Sequence, residues 1–159
     1  MFRRPLLAVL LLLTAGDAFA QAKQPPYWAA IVPNAARTRT GPGRNFPAVW
    51  LYKRAGLPVR VVQIHEAWRK VEDPDGAQGW MQANMLTDKR TAMVRGGGRR
   101  ALRATPAADA ATMWRVEPGV VGRLRRCSGG WCELDIGGKR GWIETAGLWG
   151  VAPAESYDA

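Results

Sequence analysis

An internal repeat of about sixty residues constrains the fold of this chain more than any other feature. Six of the eight tryptophans form three pairs whose spacing falls from 64 to 63 to 62 residues: Trp50 with Trp114, Trp68 with Trp131, and Trp80 with Trp142. Arginine, proline and glycine landmarks recur in the same order, and two small deletions in turns explain the drift. Because chance does not pair tryptophans in this way, the repeat predicts a duplicated small domain.

The length of 159 residues fits two domains of this size. We expect one at 28–86 and one at 91–151, joined by a polar linker at 87–90. So short a linker predicts that the domains touch and do not swing freely. Residues 152–159 are polar and are expected to be a frayed tail.

The tryptophans are the bulkiest candidates for the two cores. A domain of about 60 residues buries only about 60% of its unfolded surface, so it needs large core side chains. Four tryptophans stand inside strand-like patterns and are expected in the cores: Trp68, Trp80, Trp131 and Trp142. Trp50 and Trp114 precede a hairpin strand, and the sequence leaves both core and surface open for them.

The N-terminus has the pattern of an export signal. Arg3 and Arg4 precede an apolar run at 6–13, and a small-residue cleavage pattern follows at 18–20. A membrane anchor would need about 20 apolar residues, and this run is too short. We therefore expect cleavage of residues 1–20, a lead-in at 21–27, a periplasmic or secreted protein, and no stable membrane insertion after cleavage.

The strongly basic composition indicates an anionic partner. The formal net charge is +10, and removal of residues 1–20 takes away two arginines and one aspartate, which leaves +9 (10 − 2 + 1). For an exported protein the expected anions are wall-peptide carboxylates, lipopolysaccharide or phospholipid headgroups. Nucleic acid is not expected, because binding it would require the export signal to be misread. A charge that merely keeps the chain soluble is the alternative.

The two cysteines are placed to form a disulfide. Cys127 and Cys132 flank a Ser-Gly-Gly-Trp turn between two strand-like runs. Facing strand positions lie about 4.5–5.5 Å apart at Cα, within the range of a disulfide, and exported compartments are oxidising. A metal site would need more ligands than two thiols and the distant His65. We therefore expect a disulfide in the second domain only, no metal and no cofactor.

The remaining patterns predict short strands and no helix. The expected strands are 27–32, 57–64, 68–72 and 79–81 in the first copy, and 91–95, 120–127, 131–136 and 140–143 in the second. Residues 37–40 are expected to enter a long loop that continues toward Trp50, because glycine and proline are frequent there. The predicted fold class is all-β, with two tandem five-stranded barrels after a cleaved signal peptide.

The motif order resembles the bacterial SH3-like (SH3b) domain. The first copy carries this pattern in full over 28–86: Arg39-Thr40-Gly41-Pro42-Gly43, Gly56 before a valine-rich strand, Trp68-x-x-Val71, Gly79-Trp80 and Leu86. The second copy keeps the tryptophan motifs but has Arg103-Ala104-Thr105-Pro106 without the loop glycines. The resemblance implies an SH3-like barrel in each copy and an exported protein with two such domains.

The resemblance also implies a binding module of the cell envelope, often one that targets peptidoglycan. Aromatic and basic residues would suit sugar faces and peptide carboxylates. The candidate groove combines both types: Arg39, Arg44, Phe46, Trp50, Tyr52, Lys53 and Arg54. The alternative is a periplasmic adaptor that binds an extended or proline-rich peptide of another envelope protein. We expect a monomer.

No catalytic constellation is recognisable in the sequence. A Cys-His peptidase needs a free thiol and an orienting histidine, whereas both cysteines are expected to be bonded. Glu72, Asp73 and Asp75 are explained by a turn and form no recognisable acid pair. The chain is therefore expected not to be an enzyme.

Overall fold

The computed structural model describes residues 22–159, so the predicted signal at 1–20 lies outside the described residues. The first copy contains seven strands: β1 Tyr27–Ile31, β2 Ala36–Arg39, β3 Ala48–Tyr52, β4 Pro58–His65, β5 Trp68–Glu72, β6 Gln78–Gln82 and β7 Leu86–Thr87. The second copy contains eight: β8 Thr91–Val94, β9 Arg100–Arg103, β10 Thr112–Val116, β11 Val121–Ser128, β12 Trp131–Ile136, β13 Lys139–Glu144, β14 Leu148–Trp149 and β15 Tyr157–Asp158. Short 3₁₀ turns at Ala83–Met85 and Thr145–Gly147 precede β7 and β14.

The two copies have the same topology, which confirms the duplicated all-β fold. The strand order is β3-β2-β6-β5-β4-β1-β7 in the first sheet and β10-β9-β13-β12-β11-β8-β14 in the second. The expected count of five strands per barrel omitted the strands along the long loop. Residues 37–39, expected to be loop, belong to β2, because Ala36 and Thr38 alternate inward and are buried.

Aliphatic side chains, more than tryptophans, fill the two cores. The first core contains Ile31, Val59, Val61, Val71 and Met81, and the second contains Val94, Leu102, Leu124, Leu134 and Ile143. Of the four tryptophans expected in the cores, Trp80 is buried and the others are half-buried. Small barrels therefore rely on β-branched and aliphatic packing, with most tryptophans at the barrel surface.

The predicted disulfide is confirmed. Cys127 and Cys132 lie directly opposite each other on β11 and β12, with their Cα atoms 4.1 Å apart and both side chains buried. Tyr157 packs against the same core. The bond joins the two strands of the hairpin at its closed end.

The C-terminal segment is attached to the second barrel, in contrast to the frayed tail expected at 152–159. β15 pairs with β11, and Glu155 forms a bidentate ion pair with Arg90 at 2.6 and 3.0 Å. The hydroxyl of Thr145 donates to the carbonyl of Pro153 at 3.0 Å. Because these contacts join residues far apart in the chain, local composition does not reveal them.

The two domains touch, in agreement with the short linker. The indole N–H of Trp149 donates to the carbonyl of Pro58 at 3.0 Å, and its ring meets Trp28 edge-on at 4.9 Å. The Thr91 hydroxyl donates to the carbonyl of Gly56 at 2.7 Å. Within residues 22–159, no helix has the length and apolar character needed to cross a membrane.

Candidate functional site: a basic groove on the first domain

A long loop at 40–47 forms one wall of the candidate site. The Arg39 guanidinium donates to the carbonyl of Phe46 at 2.7 Å, and the backbone N–H of Thr40 donates to Pro47 at 3.0 Å. The Phe46 ring packs so closely on Gly41 that a Cβ there would lie 2.4 Å from the ring. The glycine and the arginine of this motif therefore hold the loop in shape.

The groove between this loop and the barrel has a volume of about 460 Å³. Three arginines line it, together with apolar side chains and one amide; the full lining is Ala35, Arg37, Arg39, Arg44, Leu51, Trp68, Gln82 and Met85. No carboxylate is among these residues. The arrangement can bind an anionic group and also offers an aromatic and thioether surface for an apolar one.

Strand alternation explains why the arginines converge. Ala36 and Thr38 face the core, so Arg37 faces outward, where it lies opposite Leu51 of β3. Trp68 enters the groove from β5, opposite Gln82 of β6. The register of the antiparallel sheet thus assembles the groove from three separate segments.

Three of the predicted site residues lie at this groove. Arg39 and Arg44 line it, and Phe46 supports its loop. Trp50 does not line it: Leu51 does, and successive strand residues point to opposite faces, so Trp50 lies on the other face of β3. Its side chain is 58% exposed.

Tyr52, predicted to line the groove, is a core residue. Its hydroxyl donates to Oδ2 of Asp73 at 3.0 Å, and both residues are buried. Burial raises the pKa of the Tyr52 hydroxyl, and the charge and hydrogen bond of Asp73 raise it further. The sequence prediction failed because Tyr52 stands next to basic residues in the chain while its side chain points inward.

Lys53 and Arg54 also lie away from the groove lining. Lys53 is exposed. The Arg54 guanidinium donates to the carbonyl of Gly119 at 2.8 Å, so this residue bridges the two domains. Its role in the structure is to connect the barrels.

Sequence reasoning missed the contribution of Arg37, Leu51, Trp68, Gln82 and Met85. Two signals point to this region. Arg37 and Arg39 alternate with inward-facing residues, which is typical of a strand with one wet face. Residues 22–65 contain no acidic side chain and seven basic ones: Lys23, Arg37, Arg39, Arg44, Lys53, Arg54 and Arg60.

The equivalent groove of the second domain is much smaller, at about 110 Å³. The positions of Arg37 and Arg44 are taken, 64 residues later, by Ala101 and Ala108. Glu144 lines this second groove beside Arg100 and Arg103, and it stands 62 residues after Gln82. Two cations are lost and one carboxylate is gained, so the anion-binding character belongs to the first domain.

Arg103 nevertheless repeats the structural bond of Arg39. Its guanidinium donates to the carbonyl of Ala110 at 2.8 Å, as Arg39 donates to Phe46. The motif arginine therefore closes the long loop in both copies. Arg37 and Arg44, which the second copy lacks, are the cations that distinguish the first groove.

Metal-ligand clusters were also considered. Within the described range 22–159, no group of three or more His, Cys, Asp or Glu side chains is arranged to hold a metal ion. The imidazole of His65 meets the Trp80 ring edge-on at 6.3 Å.

The fold and the groove define a tandem SH3-like barrel protein. Two stretches of the sequence, 32–88 and 96–150, match the bacterial SH3 domain family, which covers well over half of the chain. The chain therefore belongs to the bacterial SH3 domain family. This result confirms the resemblance seen in the motifs of both copies.

Two solved structures are similar to the chain at low identity. They are NlpC1 and NlpC2 from Trichomonas vaginalis, each 10% identical with a TM-score of 0.34. The match covers 81% of this chain and 47% of NlpC1, and 80% and 49% for NlpC2, so the chain spans about half the length of these proteins. No curated protein matches the chain.

Proposed function

We propose that this chain is a non-catalytic, exported binding module of the bacterial cell envelope, periplasmic or secreted, that contacts peptidoglycan or its peptides. Bacterial SH3 domains are typically binding modules, and the family membership supports this class of function. The observation that carries the proposal is the groove of the first domain, in which three arginines meet Trp68 and no carboxylate lines the wall.

Each part of the groove has a role in this proposal. Arg37 and Arg44 form charge-assisted hydrogen bonds with the carboxylates of wall peptides. Trp68 offers a ring on which a sugar or an apolar peptide group packs, and Met85 adds an adaptable apolar contact. Arg39 keeps the loop in place through its bond to Phe46 and adds positive charge to the wall.

Co-sedimentation with purified peptidoglycan sacculi tests the proposal. The mature chain, residues 21–159, is expected to pellet with sacculi at about 50 mM salt and to be released at about 300 mM, because salt screens exposed charges. The double variant Arg37→Ala/Arg44→Ala is expected to lose pelleting. Both residues are on the surface of the groove, and neither makes the loop-closing bond of Arg39.

The matched control is Lys53→Ala/Lys89→Ala, which removes the same two charges at exposed positions outside the groove lining. It is expected to retain most of the pelleting. Equal losses in both double variants would show that net charge, and not the groove, causes the binding. Absence of pelleting at either salt concentration would reject the wall-binding proposal.

The second candidate function is a periplasmic adaptor that binds an extended or proline-rich peptide of another protein. The apolar part of the groove, Leu51, Trp68 and Met85, favours it. Binding dominated by these side chains would depend little on salt, in contrast to binding through Arg37 and Arg44. The salt series on a captured partner separates the two functions.

A further inference from the structure

The outer edge of the first sheet is formed by β3. This strand pairs with β2 on one side and stands at the end of the strand order. A strand at the end of a sheet presents unpaired backbone N–H and C=O groups to its surroundings. β3 therefore offers a template on which another extended segment can pair.

The same edge carries an exposed apolar surface. Trp50 is 58% exposed, the highest value among the large apolar side chains of residues 22–159, and Val49 beside it is 52% exposed. A bulge places both of them opposite Thr38, so the two side chains project together. Exposed apolar side chains that are contiguous along an edge are typical of an interaction surface.

The second copy protects the corresponding edge. On β10, the ammonium of Lys139 lies 4.8 Å from the centre of the Trp114 ring, and Arg115 stands where β3 has Leu51. Lysine and other charges on edge strands are a common means of preventing unwanted pairing. Within residues 22–159, no cation stacks on Trp50, so the edge of β3 lacks this protection.

Charge identifies the kind of partner. β3 lies inside the stretch 22–65, which has seven basic and no acidic residues, with Arg37 and Arg39 on the paired strand and Lys53 directly after it. A second copy of this chain would bring like charges together across the edge, which costs free energy. An acidic segment would be attracted to the same place.

We propose that the β3 edge, formed by Val49, Trp50 and the outer backbone of β3, is a docking surface for an extended acidic segment of a partner protein. The segment adds to the sheet as a further strand, and its backbone bonds supply affinity. Val49 and Trp50 contact its apolar side chains, while neighbouring arginine and lysine side chains attract its carboxylates. Trp50 lies on the opposite face of β3 from the groove, so this inference does not depend on wall binding.

Selection from a pool of random twelve-residue peptides on the mature chain tests the proposal. The enriched peptides are expected to be acidic and to alternate β-branched or aromatic residues with polar ones. Their affinity should fall at least about tenfold on Val49→Thr/Trp50→Ser, since buried aromatic anchors dominate such interfaces. The matched change on the other edge, Met113→Thr/Trp114→Ser, should leave it unchanged, as should the groove variant Arg37→Ala/Arg44→Ala.

A second measurement uses the unaltered protein and so does not depend on the folding of a variant. Methylation of alternate backbone nitrogens of the best peptide removes the donors of one edge. In one of the two alternations it should weaken binding at least about tenfold, because strand addition requires those donors. Amide exchange of residues 48–52 should also slow when the peptide is bound.

Three results would overturn the proposal. One is a pool from which no peptide depends on β3. Another is an enriched set that is neutral or basic, or that binds equally well after either alternation of methylation. The last is concentration-dependent self-association of the chain that Val49→Thr/Trp50→Ser abolishes, which would assign the edge to a second copy.

Discussion

Replacing Tyr52 with phenylalanine removes one hydroxyl from a buried cluster in the first barrel. The hydroxyl donates to Oδ2 of Asp73 at 3.0 Å. The other carboxylate oxygen of Asp73 accepts the backbone N–H groups of Asp75 and Ala77, both at 2.9 Å. The substitution keeps the ring in the core, so its effect comes from the lost hydrogen bond.

The structure gives the expected size of this effect. A hydrogen bond to a charged group contributes about 1.5–3 kcal/mol, and a buried acceptor left without a partner keeps its full desolvation cost. Asp73 is only 5% exposed, so water does not readily replace the Tyr52 hydroxyl. We expect Tyr52→Phe to lower the free energy of unfolding of the first domain by about 2 kcal/mol.

The same cluster predicts a pH dependence. Burial, followed by the negative charge of Asp73, raises the pKa of Tyr52 in the folded state. The contribution of the protonated hydroxyl is therefore complete below its unfolded pKa of about 10 and is lost as the pH rises above that value. Phenylalanine does not titrate, so the stability difference between the two proteins should be constant near neutral pH and shrink above about pH 10.

Urea unfolding followed by tryptophan fluorescence measures the difference. The control is Tyr27→Phe, because the Tyr27 hydroxyl accepts a longer bond of 3.3 Å from Arg69 at a half-exposed site. Its expected cost is about 0.5 kcal/mol. A Tyr52→Phe protein within about 0.5 kcal/mol of the wild type would refute the assigned role of the Tyr52–Asp73 bond.

Three further predictions concern the loop, the disulfide and the C-terminal strand. Arg39→Ala should cost about 1 kcal/mol and speed amide exchange across residues 40–47, because the loop loses the guanidinium bond at 2.7 Å; unchanged exchange would contradict that bond. Replacing Cys127 and Cys132 with serine should lower the stability of the second domain by about 2 kcal/mol and leave the first unchanged in urea titrations, since the closed loop is short. Burial alone raises the pKa of Glu155, but hydrogen bonds from Arg90 and a backbone N–H, with the Arg90 charge, lower it overall. Attachment of β15 should therefore be complete above about pH 4.3 and weaken as the pH falls below it, and Glu155→Gln should flatten this dependence in amide exchange.

The sequence predicted the architecture because its main signals are local and repeated. The tryptophan spacing predicted the duplication, and the Ser-Gly-Gly-Trp turn predicted the facing cysteines. The strands β2 and β3 were missed because the glycines and prolines between them favour a loop, which masks the alternation of short strands on either side. β15 was missed because its partner β11 is distant in the chain.

The candidate site was harder to predict because chain proximity does not determine which face a side chain occupies. Tyr52 and Leu51 are neighbours, yet one is in the core and the other lines the groove. Trp68 was expected in the core because it stands in an alternating pattern, but it enters the groove wall. Arg37 follows from alternation only after β2 is recognised as a strand.

Comparison of the two copies separates structural residues from binding residues. Gly79 and Gly141 occupy matching positions, and a Cβ at either would lie 2.6 Å from the Cβ of a residue on the adjacent strand, so both copies need glycine there. Arg39 and Arg103 likewise close their loops with the same bond. These shared residues are explained by folding.

The residues that differ between the copies have no such structural explanation. Arg37 becomes Ala101 without loss of the barrel, and the bare Trp50 becomes a Trp114 that is covered by Lys139. A barrel that tolerates either choice does not require the arginine or the exposed ring for stability. The first copy therefore carries them for contact with other molecules, whereas the second serves as a rigid support joined to it through Trp149.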